Sequence, residues 1–242
     1  MNEVIKQLYE RKSVRVFEDK EISNDDKRTI LEAACQAPTA GNMQFYTILD
    51  ITDQKLKERL SETCDHQPFI AQAKMVLVFC ADYQKWYDGF TYANANPRKP
   101  RTGDLFLAMS DTNIAAQNAV VAAQSLGIGS CYIGDIFENC EIHREILNLA
   151  QYVVPCTMLV FGYPTKQQLE RNKPKRVDLK HIVHENNYRR LDKEELEEMW
   201  KNGMCPLDDV SAWLKRVCDF KYNSEFSKEM SRSCDKYLEE FK

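Results

Sequence analysis

At 242 residues, with 43% apolar and 29% charged side chains, the chain carries enough hydrophobic material for a sizeable core and sits near the upper size of a single domain. Its formal charge of −4 excludes a general attraction to nucleic acid or anionic lipid, so any phosphate site has to be a local concentration of cations. No apolar run reaches the ~18 to 20 residues that cross a bilayer, and the start Met1-Asn2-Glu3-Val4-Ile5-Lys6 has no signal-peptide hydrophobic stretch, so no membrane association is expected and the cytoplasm is the expected location.

In chain order, Val4, Ile5 and Leu8 stand at helical spacing over residues 2–10, and Ser23-Asn24-Asp25-Asp26 supplies the cap and first-turn acids of a second helix. Ile30, Leu31, Ala34 and Cys35 form the inner face expected of that helix. Between the two helices, Arg11-Lys12-Ser13-Val14-Arg15-Val16-Phe17 reads as a short extended segment. Ala37-Pro38-Thr39-Ala40-Gly41-Asn42 breaks the second helix, and Phe45 to Leu49 resumes as a strand.

Lys55 to Cys64 predicts an amphipathic helix and Met75 to Cys80 a buried strand. Residues 83–103, with Trp86, Tyr87, Tyr92, Pro97 and Pro100, show no clean period and read as a long exposed excursion of the kind that forms functional lids. Leu105 to Leu126 is apolar on nearly every side yet interrupted by Asp111, Asn113, Gln117 and Asn118, which suits the centre of a soluble fold or an interface between subunits. Strands are expected at 130–134 and 156–162, followed by a basic stretch at 165–180 and a mostly helical tail. The elements lack regular βαβ alternation and predict an α+β or three-layer arrangement.

The nine cysteines are scattered, with no Cys-x-x-Cys, and read as small buried hydrophobes. Cys140-x-x-His143 and His181-x-x-His184 are single pairs, short of the four ligands of a tetrahedral site, so no metal is expected. The four histidines have no Ser or Cys partner in a nucleophile-elbow setting. Neither Gly-x-Gly-x-x-Gly nor a P-loop occurs, so a bound nucleotide needs another device.

The extended segment offers one. Side chains alternate along it, so Arg11, Ser13 and Arg15 share a face and can converge on one anion, with Arg176 closing the site, although a solvated charged surface explains short basic runs equally well. Ala40 to Gln44 offers a small-residue turn with amides for a planar ring, or simply an ordinary loop. Tyr132-Ile133-Gly134 ends a strand on a glycine that admits a ligand, or simply a turn.

Taken jointly and in order, Arg11 to Phe17, Ala37 to Gln44, Ala108 to Gly129 with Gln117-Asn118, Tyr132-Ile133-Gly134 and Phe161-Gly162-Tyr163-Pro164 resemble the FMN-dependent nitroreductase family over almost the whole chain. Lys173-Pro174-Lys175-Arg176, His184-Glu185-Asn186 and the helical tail are similar to its oxygen-insensitive NADPH nitroreductase and flavin reductase branch. The resemblance implies a mixed central sheet wrapped by helices, a core over residues 1–190 and a helical C-terminal extension over 191–242. It also implies a homodimer with FMN at the subunit interface, reduced by NADPH or NADH and oxidised in ping-pong fashion by a small acceptor such as a nitroaromatic, a quinone or free flavin. No nucleophile or general acid of the protein is then required, because the flavin carries the chemistry. A flavin-binding redox sensor working through a partner is the alternative reading.

By that likeness Arg11, Lys12, Ser13 and Arg15 hold the phosphate and ribityl chain, with Arg176 and either Lys173 or Lys175 completing the site. Thr39, Ala40 and Gly41 line the flavin from the other subunit, Gln67 hydrogen-bonds the ring, and Tyr132, Ile133 and Gly134 cover one face. Asp135 departs from the family pattern, standing where a second glycine is common; it either brings negative charge to the ring or faces solvent. Residues 200–215 lack the paired-arginine loop associated with the NADPH 2′-phosphate, which leaves the nicotinamide donor open.

Overall fold

A computed structural model describes residues 1–242 and divides into two compact units, Met1–Arg171 with Glu229–Lys242, and Asn172–Lys228. In the first unit α1 (Glu3–Glu10) and α2 (Asn24–Cys35) flank the extended segment, and α2 is capped as expected, the Ser23 hydroxyl accepting from the Asp26 N–H. There follow β1 (Tyr46–Asp50), α3 (Gln54–Thr63), α4 (Pro68–Gln72), β2 (Met75–Asp82), α5 (Gln84–Tyr92) and the 24-residue α6 (Thr102–Ser125). Then come β3 (Gly129–Ile133), α7 (Cys140–Ile146), β4 (Val153–Gly162) and α8 (Lys166–Glu170).

The four strands form one sheet in the order β1-β2-β4-β3. All three strand pairings are antiparallel, and the parallel component is confined to a single bridge between Ser13 and Ser130. Every residue of β2 and β4 is buried, because helices cover both faces of these central strands. Met75, Leu77 and Phe79 alternate onto one face, where they meet Ile30 and Ala34 of α2 and Ala115, Ala119 and Val120 of α6. Val76, Val78 and Cys80 point to the other, against Leu60 of α3 and Ile70 of α4. This is the expected α+β, three-layer arrangement.

Several details differ from the sequence reading. Cys35 is exposed, so the inner face of α2 keeps Ile30 and Ala34, both buried, with Leu31 partly buried against the same core. Cys64, Cys80, Cys131, Cys140 and Cys156 are buried as expected, whereas Cys218 is exposed like Cys35. The excursion at 83–103 contains the nine-residue helix α5. Its aromatics organise it: Trp86 lies 6.2 Å edge-on from Phe45 and 5.6 Å from Phe90, and Tyr87 meets Tyr152 at 5.4 Å. Each such pair contributes about 0.5 to 1.5 kcal/mol beyond burial, enough to override a weak helical period. The remaining loop is pinned by a bidentate ion pair of Arg98 to Asp104, at 2.6 and 2.9 Å.

The second unit holds α9 (Lys193–Gly203), α10 (Val210–Val217), a π-helical turn at Cys218–Tyr222 and the start of α11 (Glu225–Glu239). The compact division therefore falls after Arg171 rather than near residue 190. The end of α11 returns to the first unit because Tyr237, with Phe241 just beyond the helix, is buried among Tyr152, Val154 and Cys156.

Two glycines let the N-terminal segment close onto the sheet. A Cβ on Gly129 would stand 2.6 Å from Val14 Cγ2, and one on Gly162 would stand 2.6 Å from Phe17 Cδ1. Replacing Gly162→Ala should push Phe17 away and lower stability by about 1 to 3 kcal/mol, read from the urea midpoint; an unchanged midpoint would show that the segment is loosely held.

Candidate functional site

The segment from Arg11 to Phe17 is extended and locked at both ends. The Val14 N–H donates to Ser130 O at 2.9 Å, the Glu18 N–H donates to Tyr163 O at 2.8 Å, and Phe17 bridges to Pro164. From the side of α8, the Arg15 N–H donates to Gln168 Oε1 at 3.3 Å and Arg171 donates to Ser13 O at 2.6 Å. Val14 is only 5% exposed, and burying a valine contributes roughly 1.5 to 3 kcal/mol, so the even-numbered position anchors and the odd-numbered ones are free to face outward.

Arg11, Ser13 and Arg15 all lie near Cys131 of β3. The Arg11 guanidinium lies over the Tyr132 ring at 5.6 Å, and that of Arg15 over Phe69 at 5.9 Å. Burial pushes the Cys131 thiol up, while Arg15, Ser13 and Arg11 oppose that rise, so all three surround the same point of β3. Burial also lifts the Tyr132 phenol to about 12, against the pull of Arg11; its hydroxyl donates to Gln117 Oε1 at 3.0 Å.

The Nε and Nη2 atoms of Arg11 are buried and have no hydrogen-bond partner. Two unsatisfied donors cost about 1 to 3 kcal/mol each, more than the ~0.5 to 2 kcal/mol of a cation–π contact returns. The geometry therefore favours an anionic occupant. Lys12 faces the other way, its ammonium donating to Leu169 O at 2.6 Å and to Arg171 O. Its side chain thus braces the segment, apart from the face shared by Arg11, Ser13 and Arg15.

At the far end of β3, a Cβ on Gly134 would meet nothing within 4 Å, so open space lies above the Tyr132-Ile133-Gly134 turn. Gln67 stands beside it, its amide nitrogen donating to Cys64 O at 2.9 Å and to Asp135 Oδ2 at 3.1 Å. Asp135 therefore turns toward Gln67 instead of facing only solvent. Glu138 lies next to it, a residue on which the sequence reading is silent: burial, and then the carboxylates of Asp135, Asp65 and Glu229, raise its carboxyl to about 7.

Thr39, Ala40 and Gly41 are not joined to this cluster. Positive φ angles at Gly41, Asn42 and Gln44 shape their turn, and Asp111 of α6 holds it, accepting from the Ala40 N–H at 3.0 Å and the Phe45 N–H at 3.4 Å. Trp86 donates to Met43 O at 2.6 Å. Such strained loops, fixed from beneath, are typical of ligand-facing backbone. Lys173 and Arg176 belong to the second unit, where Arg176 with Lys175 and Lys201 lines a cavity of about 430 Å³.

The sequence model of the Nitroreductase family matches residues 8–163. An FMN reductase (NAD(P)H) from Bacillus subtilis is 32% identical over 173 residues, 71% of this chain and 70% of that protein. An oxygen-insensitive NADPH nitroreductase from Salmonella typhimurium is 34% identical over 192 residues, covering 79% and 77%. Nitroreductase A from Vibrio parahaemolyticus superposes with a TM-score of 0.84 at 25% identity over 98% of each chain. The chain belongs to the nitroreductase family.

Asp111 is 3% exposed and supplies the only acceptors for two loop N–H groups among apolar helix neighbours. Asp111→Ala should strand both donors and lower stability by about 2 to 4 kcal/mol. Slowed amide exchange of Ala40 and Phe45 in wild type, lost in the variant, checks the assignment; identical exchange in both proteins would refute it.

Proposed function

We propose that this protein is an NAD(P)H-dependent flavin oxidoreductase whose FMN lies with its phosphate and ribityl chain against Arg11, Ser13 and Arg15. The observation that carries the reading is the buried, unpartnered guanidinium edge of Arg11 on the face it shares with those two residues. The open space above Gly134 suits a flat ring, with Tyr132, Ile133 and Gly134 along one side and Gln67 at its edge. The residues present fit the group. Lys173 and Arg176 are proposed as further cations for the phosphate on the family resemblance alone.

FMN, when bound, would supply the redox chemistry between a nicotinamide donor and a second substrate. The chain's own residues bind and orient. Arg11 and Arg15 neutralise the phosphate, Ser13 donates to it, and the Lys12 ammonium holds the segment rigid from behind. Nitroaromatics, quinones and free flavins are the proposed acceptors, and either NADPH or NADH the donor.

The protein is further proposed to work as a homodimer in the cytoplasm. Val4, Ile5 and Leu8 on α1, and Phe106, Leu107 and Ile114 on α6, are exposed apolar side chains that a second copy would cover. That copy would bring Thr39, Ala40 and Gly41 to the flavin, consistent with their separation from Arg11 within one chain. No helix is long and apolar enough to cross a membrane.

Arg15→Ala should weaken FMN binding by about 1.5 to 3 kcal/mol, roughly 10- to 150-fold, measured by flavin fluorescence titration. Steady oxidation of NAD(P)H with menadione or a nitrofuran, giving parallel double-reciprocal lines, is expected of the wild type. A yellow protein without turnover would contradict the enzymatic reading, and unchanged FMN affinity in the variant would remove Arg15 from the site.

A further inference from the structure

Beside Gln67 the structure gathers more acid than ion pairing accounts for. Glu138 is 6% exposed, and its Oε1 is buried with no donor reaching it. The groups facing it come from four elements. Asp135 lies on its own turn, and the Glu138 N–H donates to Asp135 O at 3.0 Å. Asp65 and Cys64 follow α3, and burial holds the Cys64 thiol up, in its neutral form. His143 of α7 is fully buried, with its ring nitrogens bound to Ile136 O and Thr63 Oγ1 and its pKa lowered by burial. Glu229 of α11 is held at about 2 chiefly by Arg232, which also pairs with Glu141. The one cation in this set is thus already shared by two other carboxylates.

We propose that the buried Glu138 carboxyl carries its proton beside Asp135, and that this pair, acting through Gln67, sets the charge at the ring end of the flavin site. Gln67 must turn its NH2 toward Cys64 O, a carbonyl that can only accept, and its other amide proton goes to Asp135 Oδ2. Both donors are used, so Gln67 can offer a ligand only its carbonyl oxygen. With the proton on Glu138 that carboxyl is neutral, and Asp135 accepts from Gln67. With the proton gone, two adjacent carboxylates repel, as closely placed pairs do, and nothing on either element compensates. Glu138 and Asp135 are positioning residues in this account, and their effect on the ring rests on the flavin reading given above.

The pair can be tested without flavin. A carboxyl that ordinarily titrates near 4.5 and is raised to about 7 in the fold binds its proton more tightly when folded, so its contribution to stability falls as pH rises between those values. The urea midpoint of Glu138→Gln minus that of wild type should therefore be larger at about pH 8.5 than at about pH 5. An equal difference at both pH values would overturn the pair. Should Glu138→Gln not fold, Asp135→Asn reads the same quantity: removing the neighbouring charge should shrink the fall in stability, and an unchanged fall would overturn the pair.

The coupling to the ring is read in the flavin-loaded protein. Its midpoint potential should diverge from that of Glu138→Gln as pH rises through about 7, where the wild-type carboxyl gains charge, and coincide with it below. Coincident curves for the two proteins at every pH would overturn the coupling while leaving the pair. Failure to bind FMN at all would instead sink the flavin reading, and the stability measurements would still stand.

Discussion

The site depends on one contact, the docking of the segment from Arg11 to Phe17 onto β3 and the end of β4. β3 lies at the edge of the sheet, where unpaired backbone groups would otherwise face outward. The Val14 N–H satisfies Ser130 O there, and the absence of side chains on Gly129 and Gly162 lets Val14 and Phe17 approach closely. Once Val14 is buried, the alternation of an extended chain leaves Arg11, Ser13 and Arg15 a common face. The cation cluster is thus a by-product of closing an edge. A chain of net charge −4 concentrates positive charge in one place by this means.

Electrostatically the site has two ends. Arg11 and Arg15 both act on Cys131 in β3, with Arg11 also over Tyr132, whereas Asp135 and Glu138 follow soon after Gly134. A flavin mononucleotide presents the same asymmetry, a dianionic phosphate at one end and a ring that changes charge on reduction at the other. The polarity of the bound group would then be fixed by charge before any specific ring contact forms. Asp111 adds a third constraint, holding the Thr39 to Gln44 turn through backbone N–H groups.

Much of this was legible in the sequence because it rests on short-range rules. The alternation at residues 11, 13 and 15, the Ser23 cap and the continuous apolar run of β2 all follow from local sequence. The helix α5 was hidden because its stabilising partners, Phe45 and Tyr152, are far away in sequence. Cys35 is expected on the inner face of α2 yet is exposed, because at about 100° per residue it stands about 140° around the helix from the buried Ile30. The turned-away Lys12 followed from the same alternation that places Arg11, and the family pattern obscured it. Glu138 carried no signal, because its raised carboxyl arises from Asp65 and Glu229 as well as from its neighbour Asp135. Asp111 stood out as a polar interruption of an apolar helix, but only the fold shows which N–H groups it serves.

The account turns on whether the cations around Arg11 meet a phosphate. Equilibrium titration of the flavin-free protein with FMN and, separately, with riboflavin isolates that group, since the two ligands differ only there. Charge-assisted contacts of about 1.5 to 3 kcal/mol predict FMN binding at least tenfold tighter, with one FMN per chain. Equal affinity for the two ligands would contradict it.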